Sequence, residues 1–506
     1  MRLTSGCAAL ALLATACGST VQYRASAGAP LAQDQGLSAP TGPATPATAA
    51  PGATVPQQAG SLPGTTTQPG TAPNGPSSAG SLAPPSATVK GGVSATSVTV
   101  GIVYLVNAGA ANAAIGGQGI TTGNEPADAR AVIADLNSRG GLLGHKVVPL
   151  FFQRDAQSTS PVADQAQREC AYFTQDHKVF TVLLANGPVD WAEKPCLNKG
   201  GVPAVTSHIV SLDDGDPRLG WNVDVAGMSE HSLATAQIKA VESQKWLDPW
   251  NSATGSSGTS PAKVGVISYD LPAVNQAVDQ VIVPGLQRLG HPADPQNRYR
   301  IAIPQATSDT AATEAALQNA VLKLRSNNVD HVVVVDNGGA MTLLLANNLY
   351  SQRYFPRLAG TSSNGFQALL TGGNIQPQVL HGLVGAGWEP VIDLPFSDKQ
   401  ATPQRASCLH LLRAAGQTFT DANAEAVALG YCDKLSFLQA AVRLGGSLSA
   451  AAYLSAVDHL GAFATARGLG SHFAAGRHDG GNGYRDLLFD TGCGCVSYTG
   501  PTRTLV

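Results

Sequence analysis

The chain has 506 residues, 13% of them charged, and a formal net charge of −3. That charged share is about half the usual one, and the near-neutral balance argues against nucleic acid or an anionic membrane surface as an electrostatic partner. Length allows roughly two to four domains.

The chain opens with the positive pair Met1-Arg2, then an apolar run from Leu10 to Ala16, then Cys17-Gly18-Ser19. This is the pattern of an export signal, too short to span a bilayer permanently. Small residues before a cysteine resemble a lipoprotein processing site, which implies a lipid on Cys17. One departure is Ala14, three residues before Cys17, where such sites usually carry Leu; here the Leu is Leu13. The alternative is plain secretion with Cys17 buried or paired. From Gly18 to Val89 the only charged residues are Arg24 and Asp34, among Ala, Gly, Pro, Ser, Thr and Gln. Such a segment has too little apolar bulk to offset the entropy of folding. Residues 1–17 therefore read as a signal and 18–93 as a disordered linker, extended by its prolines.

From Ser97 the pattern changes. Ser97–Val106 and Lys146–Phe152 are short, β-branched and apolar, as strands covered on both faces should be. Between them Ala129, Val132, Ile133 and Leu136 recur at helical spacing, and Gly140-Gly141 stops the helix. Strand, helix, strand in this order is a parallel βαβ unit. The alternation continues with a helix near 161–175, strands at 179–184 and 201–206, and a helix at 229–246. It restarts after a loose Gly/Ser stretch with strands at 263–270, 299–303, 329–336 and 357–364. His381–Trp388 reads as a strand, followed by helices near 402–415, 423–444 and 449–460. Asp486–Phe489 and Cys495–Tyr498 are the last strands. Two similar α/β halves imply two lobes with a cleft between them. Ligands bind such sheets beyond the carboxyl ends of the strands. The candidate contacts are accordingly Tyr104 and Asn107, Asn186, Gly187, Asp190 and Trp191, then Thr206, Ser207 and His208. In the second half they are Tyr269, Asp270, Asn337, Ser362 and Ser363, with Trp388 at the crossing.

The run Ile133-Ala-Asp-Leu-Asn-Ser-Arg-Gly-Gly-Leu-Leu-Gly-His-Lys-Val147, after Val100-Gly-Ile102, resembles the opening of the type I periplasmic solute-binding proteins, the leucine/isoleucine/valine-binding group. The resemblance extends through Lys263-Val-Gly-Val-Ile-Ser-Tyr269 and the helix from Ala424 to Ala441. It implies two Rossmann-like lobes with mostly parallel sheets joined by a three-strand hinge, after the disordered linker. Lobe 1 is expected at 97–248 and 389–466, lobe 2 at 262–388 and 467–506. The implied partners are a small-molecule ligand, an ABC transporter permease and the membrane through the Cys17 lipid, for an extracytoplasmic monomer without a cofactor. Amino-acid-binding relatives hold the ammonium with a Tyr and an acid in the second lobe. Here Val274 stands at the expected Tyr, Ser362 at the acid and Asn337 at a common aromatic. A buried ammonium without a carboxylate is costly, on the order of several kcal/mol. An amide, polyol or aromatic compound fits these loops better than a branched-chain amino acid.

Export places the chain where disulfides form. Without Cys7 and Cys17, six cysteines remain. Cys170 and Cys196 fall near the ends of neighbouring helices and pair; Cys408 and Cys432 lie on successive helices and pair. Cys493-Gly-Cys495 is either a small disulfide ring or two free thiols. No zinc spacing, Gly-x-Ser-x-Gly elbow or phosphate loop occurs, so an envelope enzyme is the weakest reading. The leading one is a solute receptor for an importer, and the runner-up is a lipid-anchored sensor of the same fold.

Overall fold

The structure is a computed structural model that describes residues 91–185, 193–207, 221–305, 307–396, 402–419 and 421–506. Cys17, the signal, most of the linker, and the candidates Asn186, Gly187, Asp190, Trp191 and His208 lie outside the described residues. The fold begins before the expected end of the linker. The Gly92 carbonyl accepts the Thr99 amide at 2.7 Å, and Val93 bridges Val98.

The first lobe is built from β1 (Ser97–Val106), α1 (Ala108–Ala114), α2 (Glu125–Ser138), β2 (Lys146–Asp155), α3 (Val162–Ala171), β3 (Thr181–Leu183), α4 (Lys194–Lys199), β4 (Ala204–Thr206) and β5 (Asn222–Asp224). Its sheet runs β2-β1-β3-β4-β5, all parallel. Helix α2 starts where Asn124 caps the amide of Ala127, and it buries Ala129, Val132, Ile133 and Leu136 as the spacing required. Strand β5 carries one apolar residue between two polar ones, too weak a signal to be seen in the sequence.

Helix α5 (Glu230–Ser243) and the hairpin β6 (Trp250–Asn251) to β7 (Ser256–Ser257) lead to the second lobe. It contains β8 (Val264–Tyr269), α6 (Pro272–Ala277), α7 (Val283–Arg288), β9 (Arg298–Ile301), α8 (Thr310–Ser326), β10 (His331–Val335), α9 (Ala340–Ser351), β11 (Arg357–Thr361), α10 (Phe366–Thr371) and β12 (Val384–Gly387). The chain returns to the first lobe through α11 (Pro390–Asp393), α12 (Pro403–Ala414), α13 (Ala422–Gly445), α14 (Ala450–Val457) and the hairpin β13 (Gly461–Phe463) to β14 (Ser471–Phe473). It ends in β15 (Gly483–Asp490) and β16 (Cys495–Thr504), antiparallel additions to a parallel sheet ordered β16-β15-β12-β11-β10-β8-β9.

Two expected lobe limits move. Helix α5 was expected in the first lobe, but Ala234, Ile238, Val241 and the following Trp246 belong to the second core. Gln237 donates to the Ala359 carbonyl at 2.9 Å, and the Trp246 indole to that of Leu358 at 3.1 Å. The first crossing is therefore at 225–229, not beyond 248. The third falls at about 479–483 instead of 467, because Phe473 still packs in the first core. A helical period marks an apolar stripe but does not choose between two apolar sheets. The crossings lie side by side. Gly480 and Gly481 amides donate to the Asp224 and Gly227 carbonyls at 2.7 and 2.8 Å, and the Leu469 amide donates to Trp388 at 3.0 Å.

Disulfides close Cys170–Cys196 and Cys408–Cys432, each with Cα atoms 6.1 Å apart, and also Cys493–Cys495. The first two are the expected pairs, and the third resolves the alternative left open at Cys493 and Cys495.

Candidate ligand-binding cleft

Residues that follow β10, β11 and β12 of the second lobe meet a loop of the first lobe. The first-lobe loop 117–123 reaches across. The Gln118 amide donates to Asn374 Oδ1 at 2.8 Å, Asn374 Nδ2 returns a bond to the Gln118 carbonyl at 3.1 Å, and Ile120 packs against the second core. On its own side the loop is held to the start of α13. Thr121 Oγ1 donates to Asp421 at 2.7 Å, and Asn423 donates to the Thr121 carbonyl at 2.7 Å.

A cavity of about 60 Å³ lies under this loop, lined by Ile120, Gly338, Ser362, Ser363, Glu389 and Asn423, among others. A groove of about 190 Å³ shares Ile120, Ala368, Ile392 and Asn423 with it and continues past Leu394 and Phe396. The cavity wall comes from strand ends. Gly338 and Gly339, both at positive φ, carry the chain from β10 into α9. A Cβ at Gly339 would sit 3.2 Å from the Asn364 carbonyl, so this corner requires glycine.

Glu389 is fully buried, and its Oε2 accepts from Arg467 at 3.0 Å. Its Oε1 and the Ser363 hydroxyl have no hydrogen-bond partner among the described residues. Each such atom costs roughly 1–3 kcal/mol if nothing satisfies it.

The sequence candidates divide. Ser362 and Ser363 line the cavity, and Ser362 Oγ also donates to Asp393 at 2.6 Å while accepting the Trp388 amide at 2.8 Å. Thr206 and Ser207 are buried at the end of β4, with the Thr206 hydroxyl unsatisfied among the described residues and Ser207 on Asp433 at 3.4 Å. Asn337 is buried beside Asp336, which its amide contacts at 2.6 Å. Others sit elsewhere. Tyr104 donates to Gln153 at the outer strand pair, and Asn107 donates to Asp155. The Tyr269 ring is in the second core, and Asp270 is exposed, capped by Asn275. Trp388 packs with Met228, Leu233 and Tyr484 behind the crossings. Glu389, missed in the sequence, follows the candidate Trp388 two residues past the end of β12, and an acid just after the crossing strand was the available signal. The carboxylate sought at Ser362 thus stands in the same cavity one strand over.

Behind the cavity, burial governs the acids. Asp433 accepts the Ala466 amide at 2.6 Å and the Arg467 amide at 3.1 Å, yet desolvation pushes its carboxyl up to about 7. Desolvation does the same to Asp393, which takes hydrogen bonds from Ser362 and Tyr498 and is also pushed up to about 7. Asp336 rises to about 6 for the same reason. A carboxyl raised in the fold binds its proton more tightly there than in the unfolded chain. Its contribution is fully present below the unfolded value, near 4, and is lost as pH rises through the folded value. Thermal stability is therefore expected to fall between about pH 4 and 7 and level off above. Asp393→Asn, which keeps an acceptor for Ser362 and Tyr498, is expected to flatten that slope in pH-dependent melting curves.

No protein-family model and no curated protein matches the chain. Solved structures do. A solute-binding protein of an ABC transporter from R. palustris, in complex with 4-hydroxybenzoate, is 16% identical with a TM-score of 0.55, over 80% of this chain and 97% of that one. A substrate-binding protein of an ABC transporter from Aeropyrum pernix is 14% identical with a TM-score of 0.56, over 80% and 96%. A fatty acid ABC transporter substrate-binding protein from Thermomonospora curvata is 15% identical with a TM-score of 0.53, over 82% and 92%.

Proposed function

We propose that this chain, whose fold is that of the type I periplasmic solute-binding proteins, is an extracytoplasmic receptor that hands a small polar molecule to an ABC importer. The observation that carries this is one cavity between the lobes lined by the buried residues Glu389 and Ser363, whose Oε1 and Oγ have no hydrogen-bond partner among the described residues. The guest carries a hydrogen-bond donor, as an amino acid, an amide or a phenol does. Glu389 is already bridged to Arg467, so a neutral donor suits it at least as well as an ammonium. The 190 Å³ groove takes the guest's apolar part; a cavity of about 150 Å³ holds a benzene ring. 4-Hydroxybenzoate, the ligand of the R. palustris protein, has this shape.

No bond needs to be made or broken. The guest prefers the closed arrangement, and that preference shifts the lobes together for docking on a permease. In this reading Cys17 carries the lipid, residues 18–90 tether the lobes to the membrane, and Asn186, Trp191 and His208 contribute to binding. Among the described residues no group of three or more His, Cys, Asp or Glu could hold a metal.

Thermal-shift screening of the purified chain against hydroxybenzoates, amides, amino acids and fatty acids tests the reading. A true ligand at 100 times its Kd is expected to add about 2.7 kcal/mol. A panel without any shift, together with native mass spectrometry showing no retained small molecule, would overturn it. Uptake that survives deletion of the chain would favour the sensor.

A further inference from the structure

The third disulfide differs from the other two in what it joins. Cys170–Cys196 ties α3 to α4, and Cys408–Cys432 ties α12 to α13. Cys170, Cys408 and Cys432 are 1%, 4% and 8% exposed, so Cys408–Cys432 is buried at both ends and Cys170–Cys196 at one, with Cys196 at the surface; at the tip neither cysteine is buried. Cys493–Cys495 closes a ring around the single residue Gly494, at the tip of the β15–β16 hairpin. Residues 491–494 are exposed, and among the described residues nothing lies within 4 Å of where a Cβ would stand on Gly494. The hairpin is held by contacts besides the bridge. Asp490 pairs with Cys495, Phe489 with Val496 and Leu488 with Ser497 down the ladder. The Val496 amide is also held by Gln367 of α10 at 2.6 Å.

In the chain-entropy account, a ring of about three residues constrains the unfolded chain far less than one of about 25. The tip bridge thus closes the smallest ring and is the one with no buried cysteine. It is also the one whose opening moves no helix. We propose that Cys493–Gly494–Cys495 is a thiol–disulfide exchange site whose partner is an extracytoplasmic protein dithiol. The incoming thiolate attacks Cys493 Sγ, the more exposed sulfur. The Sγ–Sγ bond breaks, and its electron pair leaves on Cys495 Sγ, which takes a proton from water. The partner's second thiolate then attacks its own sulfur in the mixed disulfide and releases Cys493 as a thiolate, which is protonated in turn. Two electrons and two protons arrive at the tip, and the partner leaves as a disulfide. The reverse sequence recloses the ring.

The test uses the intact, folded chain. It is equilibrated with graded dithiothreitol, quenched with N-ethylmaleimide and mapped by peptide mass spectrometry. Cys493 and Cys495 are expected to reach half-labelling at a dithiothreitol concentration at least about tenfold lower than the other four. The melting temperature is expected to stay nearly unchanged at that point. Labelling of all six together, labelling of Cys493 and Cys495 only after unfolding, or their labelling without reductant would each overturn the proposal. Cys495→Ser leaves one thiol at the tip and should form a mixed disulfide with oxidised glutathione without loss of structure; an inert Cys493 in that variant also contradicts it. Neither arm involves the cleft, so its outcome is independent of whether a ligand is found there.

Discussion

Glu389→Ala is expected to destabilise the protein by about 3–5 kcal/mol, the range for removing one partner of a buried ion pair. Glu389 and Arg467 are 0% and 2% exposed, and their 3.0 Å contact joins the second crossing to the segment after β13. Taking away the carboxylate leaves the guanidinium in low dielectric without this counter-charge. The same change removes a buried acceptor from the cavity, so ligand affinity is expected to fall about tenfold to a hundredfold, the worth of one hydrogen bond to a charged group. The two effects separate in a second variant. Glu389→Met with Arg467→Met replaces the pair by apolar side chains and should recover more than half of the lost stability. It should not recover binding. Denaturant unfolding and ligand titration of both variants check this. Equal recovery of both would mean that Glu389 supports the cleft without touching its guest.

Opening Cys408–Cys432 is the second large effect. The bridge lies inside the first core beside Leu409, Leu412 and Leu435 and fastens α12 to α13. Helix α13 is the longest element among the described residues, and it also anchors the cleft. Its Tyr431 donates to Glu125 at 2.9 Å, and Glu125 in turn accepts the Leu105 amide at the end of β1. Chain entropy alone gives about 3.5 kcal/mol for a ring of this length. Cys408→Ala with Cys432→Ala is expected to lose about that much in urea unfolding, with a larger loss by Ser at both sites because hydroxyls would be buried unpaired. A change within about 0.5 kcal/mol would show that packing of α12 on α13 suffices without the bridge.

Much of this architecture was legible in the sequence because buried parallel strands and amphipathic helices leave strong local signals. Val332 to Val335 reads as a core strand on sight, and α2, α8 and α13 follow from apolar spacing. The two helix-joining disulfides followed from the placement of those helices. What the local signals lack is direction in space. Helix α5 has an apolar face that suits either sheet, so the first crossing was placed too late. The same limit applied at the cleft. The strand-end rule brought Ser362 and Ser363 to the cavity, but it could not tell Trp388, which turns to the back of the hinge, from Glu389, which turns to the front. Ile120 and Asn423 reach the cavity from a loop and a helix start that carry no binding signature of their own.

Delivery of a guest to an importer requires movement of one lobe against the other. Spin labels at Lys146→Cys on β2 and Leu322→Cys on α8, both exposed and in different lobes, report that movement by pulsed electron paramagnetic resonance. Saturating ligand is expected to shift the distance distribution to shorter, narrower values. A distribution that stays the same while the ligand is bound would contradict it.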